Sequence, residues 1–169
     1  VSYIRLQQDG QFKRAPDKDW MDIKGEQYFT VANPGFIWKA NTSFFTADDR
    51  YINSWGNFTV KWLSLFKIID GKGPRFDEAG IQRWLAENFW FPTNLLPSDH
   101  LRWESIDDLS AKLIYNHGDL TFSMIVRFNE MGELVSVECK RYMEGNLQTW
   151  KVYASEYDEC QGMMIPTMI

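Results

Sequence analysis

The pattern that organises this chain is a two-residue alternation of apolar and polar side chains. Leu120, Phe122, Met124, Val126 and Phe128 share one parity, with Thr121, Ser123 and Arg127 on the other. Val135, Val137 and Cys139 alternate in the same way with Ser136, Glu138 and Lys140. Successive strand side chains point to opposite faces, so this period predicts antiparallel strands with one dry face and one wetter face. Residues 101–157 therefore read as a meander of five strands. Further strands are expected at 3–8, 25–31, 36–43, 50–54 and 57–69, joined mainly by hairpins. Turn signals punctuate the runs at Asp9-Gly10, Asn33-Pro34-Gly35, Gly56-Asn57, Asp70-Gly71, Asn116-His117-Gly118-Asp119, Glu130-Met131-Gly132 and Glu144-Gly145-Asn146.

One segment changes period. Ile81, Trp84, Leu85 and Phe89 recur at helical spacing, which predicts a helix over 77–89. Asp77 is its expected N-cap, Glu78 suits the positive end of the helix dipole, and Pro92 ends the run. The stretch that follows, Trp90-Phe91-Pro92-Thr93-Asn94-Leu95-Leu96-Pro97, is too apolar to lie in water and should pack on a sheet. About ten strands cannot stay flat, because strand twist curls a sheet into a barrel, half-barrel or sandwich. The expectation is thus a mainly β (α+β) fold. It consists of a curved antiparallel sheet or half-barrel meander, with one inserted helical segment, about 77–97, on its concave face. No linker or repeat divides the 169 residues, so one domain over 1–169 is expected.

Composition sharpens this picture in one respect. Aromatic residues make up 16% of the chain, including 8 Trp and 12 Phe. Aromatics suit pleated half-buried surfaces and also line ligand pockets. Most of the tryptophans are expected in the core, with Trp84, Trp90 and Trp103 as a pocket wall because they come from the helix and the strand after it. The net charge of -5 and the lack of a Lys/Arg run argue against nucleic acid as a partner. The longest apolar stretch, 62–69, is interrupted by Ser64 and Lys67, far short of the roughly 20 residues of a membrane span. The chain opens directly on a strand-like pattern without a signal peptide, although a leader removed earlier would leave the same pattern. A soluble protein of cytoplasm or periplasm is expected, with its oligomeric state open.

Several strings occur together and in order: Glu26-Gln27-Tyr28-Phe29-Thr30, Pro34-Gly35-Phe36-Ile37-Trp38-Lys39-Ala40, Asp49-Arg50-Tyr51-Ile52, Trp90-Phe91-Pro92-Thr93 and Leu95-Leu96-Pro97. Trp103-Glu104-Ser105-Ile106-Asp107-Asp108, Arg141-Tyr142 and Gly162-Met163-Met164-Ile165-Pro166-Thr167 follow. Over nearly the whole chain these resemble an uncharacterised bacterial family, a domain of unknown function, which implies no activity and no catalytic residues. Members of that family continue past the Ile-Pro-Thr strand with another aromatic strand, so a truncated form is expected here. At the level of pattern the meander also resembles the lipoprotein-carrier (LolA-like) half-barrels. That likeness implies an apolar ligand held between sheet and helix, and one relative of that fold is a cofactor-free enzyme.

Candidate chemistry is sparse. Glu87 follows Arg83 at i, i+4 beside Trp84. At the mouth of an apolar cavity its carboxyl would suit proton transfer, but its position across the helix from Leu85 favours an exposed ion pair instead. Strand parity turns Arg141 toward the dry side with Val137 and Cys139. There it would clamp a carboxylate or phosphate head group, unless the strand ends at Lys140 and leaves it at the solvent edge. His100 and His117 sit by turns and supply neither a metal site nor a triad. Cys139 and Cys160 form no metal spacing; they read as free thiols, with a disulfide between neighbouring strands as the alternative. Asn41-Thr42-Ser43 and Asn57-Phe58-Thr59 match the glycosylation pattern, a short match common by chance. No cofactor or metal is expected.

The leading expectation is a non-enzymatic site for an apolar or amphipathic small molecule or lipid, lined by Trp84, Glu87, Trp90, Trp103 and Arg141. The alternatives are a cofactor-free enzyme using a pocket carboxylate with Arg141, and a protein-interaction domain presenting an aromatic surface or sheet edge.

Overall fold

A computed structural model describes residues 2–31, 33–143 and 146–169, with only the backbone of Met143. The predicted turn at 144–145 lies outside these residues. The chain is mainly β, as the alternation predicts, with three open antiparallel sheets and one α-helix among the described residues. It divides into two compact units, residues 1–84 and 85–169.

The first unit is a six-stranded meander in sequential order: β1 (Tyr3–Phe12), β2 (Met21–Thr30), β3 (Phe36–Asn41), β4 (Phe45–Ile52), β5 (Trp55–Trp62) and β6 (Phe66–Lys72). The register sets Phe36 beside Tyr51 and Tyr51 beside Gly56, so these residues line one face. Helix α1 (Pro74–Ala86) packs on that face. Trp84 stacks on fully buried Phe29 with ring centroids 5.9 Å apart, and its indole N–H donates to the carbonyl of Thr30 at 3.1 Å. Truncating a buried phenylalanine such as Phe29 costs about 3–5 kcal/mol, so this contact is a principal anchor of the helix.

Charge also crosses the interface between helix and sheet. Arg83 Nη1 reaches Asp49 Oδ2 at 2.7 Å, with both side chains largely buried, and the guanidinium lies over the rings of Phe36 and Trp38. Removing either partner of so buried a pair would leave an uncompensated charge, at about 3–5 kcal/mol.

The helix begins three residues before the expected Asp77. Gly73, at φ 98°, turns the chain, and its carbonyl accepts the N–H groups of Phe76 and Asp77. Pro74 follows at the first helical position, where a missing N–H is harmless. Asp77 is therefore inside the first turn, and its carboxylate accepts the Gly56 N–H at 2.7 Å. The helix also stops early, at Ala86, because buried Asn88 donates through its side chain to the Leu85 carbonyl at 3.4 Å. Such local side-chain bonding competes with the helical ladder. Two 3-10 turns follow, Asn88–Trp90 and Pro92–Leu95.

The glycines explain two further departures. Asp9-Gly10, Gly56-Asn57 and Asp70-Gly71 are not turns but strand interior. A Cβ on Gly56 would lie 2.0 Å from the Phe76 carbonyl oxygen, and one on Gly71 would lie 2.1 Å from the Phe76 ring. Those two glycines let the helix approach the sheet. The turns themselves use Asn53-Ser54 and Leu63-Ser64, all at positive φ. The second of these splits the expected strand 57–69 into β5 and β6.

The second unit carries the predicted five-strand meander: β7 (Leu101–Asp107), β8 (Ser110–His117), β9 (Leu120–Phe128), β10 (Leu134–Met143) and β11 (Asn146–Tyr153). Phe122, Met124, Val126, Val137 and Cys139 are buried, as their parity requires. The opposite face carries Glu138, paired with Lys151 at 3.0 Å and Arg127 at 3.2 Å. Instead of extending this sheet, β12 (Ser155–Cys160) and β13 (Met163–Met168) form a separate hairpin. Both cysteines are free, Cys139 buried and Cys160 exposed. Not all the tryptophans enter the core, since Trp20, Trp55 and Trp62 are exposed.

Gly56→Ala should destabilise the chain by about 1–3 kcal/mol or more, because the added methyl meets helix backbone that cannot rotate away. Gly10→Ala, with nothing within 4 Å of the new Cβ, should stay within about 0.5 kcal/mol. Urea unfolding midpoints of the two variants compare them directly, and equal midpoints would refute this account of Gly56.

Candidate functional site

In the second unit the apolar segment after the helix and the β12–β13 hairpin bound a cavity of about 370 Å³. One wall is Phe89, Pro92 and Leu95, from the two 3-10 turns. Trp103 and Phe128, on β7 and β9, supply the sheet side, with their ring centroids 6.1 Å apart. The turn 131–134 contributes Met131, Gly132, Glu133 and Leu134, and the hairpin closes the site with Tyr157 and Met164. Met131, Pro92 and Met164 are exposed, so the cavity opens to solvent past flexible thioethers.

The tryptophan and the tyrosine of the wall are each fixed by a polar end. The Trp103 indole N–H donates to the Leu95 carbonyl at 2.7 Å, tying the 3-10 turn to the sheet. The Tyr157 hydroxyl donates to the Leu134 carbonyl at 2.6 Å, tying the hairpin to the start of β10. Both rings then present apolar faces while their polar atoms are already satisfied. Burial, and secondarily the charge of Glu133, pushes the Tyr157 hydroxyl up to about 12. Glu133 is the charged group of the wall. Among the described residues its carboxylate takes one side-chain hydrogen bond, from Asn129 Nδ2 at 2.7 Å, and no ion pair. Asn129 Oδ1 in turn accepts the N–H groups of Met131 and Glu133, which shapes the turn.

The structure distributes the five residues singled out from the sequence. Trp103 lines this cavity. Trp84 belongs to the core of the first unit. Glu87 is buried in the turn after the helix rather than exposed on it, and the Arg83 guanidinium pairs with Asp49. Trp90 is half-buried at the end of the first 3-10 turn and is not part of the cavity wall. Arg141 lies on the dry parity of β10, with its guanidinium 4.8 Å from the Trp150 ring centroid, outside the wall as well. Sequence reasoning missed Glu133, Phe128, Tyr157 and Met164. Phe128 ends an alternating run and Glu133 follows a turn glycine, but nothing in the sequence joins them to a hairpin some 25 residues further on.

The first unit has a second concave feature, on the sheet face opposite α1. Lys39, Asn41, Thr46, Asp48, Arg50, Asn57, Thr59, Lys61 and Lys67 line an open cradle of about 400 Å³. The cations lie up to 28 positions apart in sequence, so no basic run marked them, and only the register gathers them.

A family model, described as a family of unknown function (DUF6544), matches residues 1–169. No curated protein and no solved structure matches the chain, so the likeness to lipoprotein-carrier half-barrels has no structural match behind it.

Because its ionisation is harder in the folded chain than in the unfolded one, Tyr157 contributes stability that is intact below about pH 10. That contribution is lost as pH rises toward about 12. Tyr157→Phe should therefore lose less stability than the parent chain between those limits, as followed by urea unfolding. Parallel curves would remove Tyr157 from the account.

Proposed function

The chain belongs to DUF6544, a family of unknown function, and from its geometry we propose that it binds an apolar or amphipathic small molecule in the second-unit cavity without catalysing a reaction on it. The observation that carries this reading is an aromatic-walled, solvent-open space whose tryptophan and tyrosine polar atoms are already bonded to backbone. Such walls offer desolvation and contact area and leave little chemistry to perform. About 370 Å³ falls at the small end of ordinary ligand pockets, which run from about 300 to 1,000 Å³.

Glu133 sets the polarity of the head group. A carboxylate in the wall repels an anionic head and favours a hydroxyl or an amine, the latter also attracted by the faces of Trp103 and Phe128. The ligand is then an alcohol or amine with an apolar body, rather than a fatty acid held by Arg141. The cofactor-free enzyme would need Glu87 or another pocket carboxylate together with Arg141 at one cavity, and Arg141 does not line this one.

Calorimetric titration with decanol, decylamine and decanoate tests the proposal. The expected order has decylamine and decanol binding and decanoate weaker by about tenfold, with the discrimination lost in Glu133→Gln. Leu95→Trp, which fills the space, should abolish binding of all three. Silence toward all three probes would overturn the binding reading, while equal affinities would overturn the role of Glu133 alone.

A further inference from the structure

The cationic cradle of the first unit does not stand alone. At one end of the six-stranded sheet, the turn between β3 and β4 and the turn between β5 and β6 lie side by side, with the Leu63 N–H donating to the Phe44 carbonyl at 2.8 Å. These two turns present Phe44, Trp62, Leu63, Leu65 and Phe66, each between 44% and 76% exposed. Trp62 and Phe66 are directly paired in register, with ring centroids 6.0 Å apart, so part of the apolar tip is preassembled. Isolated exposed apolar residues are ordinary, but five large ones on two adjoining turns are not.

The row immediately behind this tip, on the face opposite α1, is Asn41, Thr46, Lys61 and Lys67, paired strand to strand. Lys39 and Arg50 stand one and two rows further back. Acids share the face: Asp48 pairs with Arg50, Asp70 with Lys67, and Glu26, beside Lys39 in register, with Arg5, while Asp9 and Asp22 lie on the first two strands, away from the tip. Lys39 and Lys61 then carry no ion pair among the described residues. A chain of net charge -5 has thus gathered a positive surface directly behind its most apolar turns.

From this juxtaposition we propose that the first unit docks on an anionic phospholipid surface. The tip of Trp62, Leu63, Leu65 and Phe66 enters the interfacial layer, and Lys61, Lys67 and Lys39 meet the phosphates. Two features select a bilayer over a protein partner. Narrow hairpin turns give a few deep side chains rather than a broad complementary face, and a fluid interface accepts them without shape matching. The aromatic-then-lysine order along the strands matches the order of depth in an anionic leaflet, apolar core first and charged head groups behind.

Sedimentation of the full chain with vesicles decides the matter. The chain should pellet with vesicles of phosphatidylcholine containing one-third phosphatidylserine and much less with phosphatidylcholine alone. Raising the salt from 0.1 to 0.5 M should weaken it severalfold. Lys61→Glu should lower the partition coefficient by at least about fivefold. Leu65→Asp with Phe66→Asp should abolish pelleting, and the circular dichroism of each variant checks that its fold is kept. If the double variant misfolds, the lysine variant and the salt series still decide. Three results would overturn the proposal: no pelleting with anionic vesicles, equal pelleting with both vesicle types, or concentration-dependent self-association that the lysine and tip variants remove. Saturable binding of inorganic phosphate at the cradle without vesicle binding would likewise replace a membrane with a small anion.

Discussion

The hydrogen bond from the Tyr157 hydroxyl to the Leu134 carbonyl is the constraint on which the candidate site depends. At 2.6 Å it fastens a two-stranded hairpin, which among the described residues shares no ladder with the five-stranded sheet, to the first residue of β10. Next to the acceptor the register with β9 shifts between Leu134 and Ser136, which leaves Val135 without a partner on β9. Such a bulge leaves one residue out of the ladder, and the carbonyl of that residue, Val135, accepts the Ala154 N–H at 3.0 Å just before the hairpin. Hairpin and turn then face each other across a space that neither would enclose alone. The bond from the Trp103 indole to Leu95 does the same for the opposite wall. The cavity is thus a gap between three pieces, the 3-10 turns, the sheet and the hairpin, joined by two aromatics with polar ends.

The same economy governs the first unit. Its helix lies close on the sheet because Gly56 and Gly71 withdraw side chains where Phe76 arrives, and Gly80 does so where Tyr51 arrives. Side-chain alternation gives that sheet two faces with different roles. The face under α1 holds Phe29, Phe36 and Tyr51, with the Arg83–Asp49 pair among them. The other face collects lysines, threonines and asparagines. An antiparallel meander makes both at once, since every residue added to one face places its neighbour on the other.

Much of this was legible from period alone. From Leu120 to Phe128 only Ile125 interrupts the alternation, and the structure places Phe122, Met124 and Val126 in the core as that parity demands. The recurring strings that suggested a family of unknown function agree with a match along residues 1–169. What failed was punctuation. Glycines next to aspartate or asparagine resemble turn residues, yet Gly56 and Gly71 serve close packing against a helix far along the chain. Leu63 and Ser64 form a turn that has no glycine or proline to announce it. The helix shifted because Pro74 and Asn88, not Asp77 and Pro92, set its ends. The site was half-visible for a related reason. Trp103 and the segment 90–97 are conspicuous in the sequence, but Tyr157 and Met164 join them only through tertiary contact.

The central claim is that an apolar ligand enters past Met131 and Met164. Methyl resonances of methionine-labelled protein, titrated with decanol, examine that entrance directly. The account predicts saturable shifts at Met131 and Met164, with Met124, buried under the five-stranded sheet, unmoved. Shifts confined to other methionines, or none at saturating decanol, would contradict it.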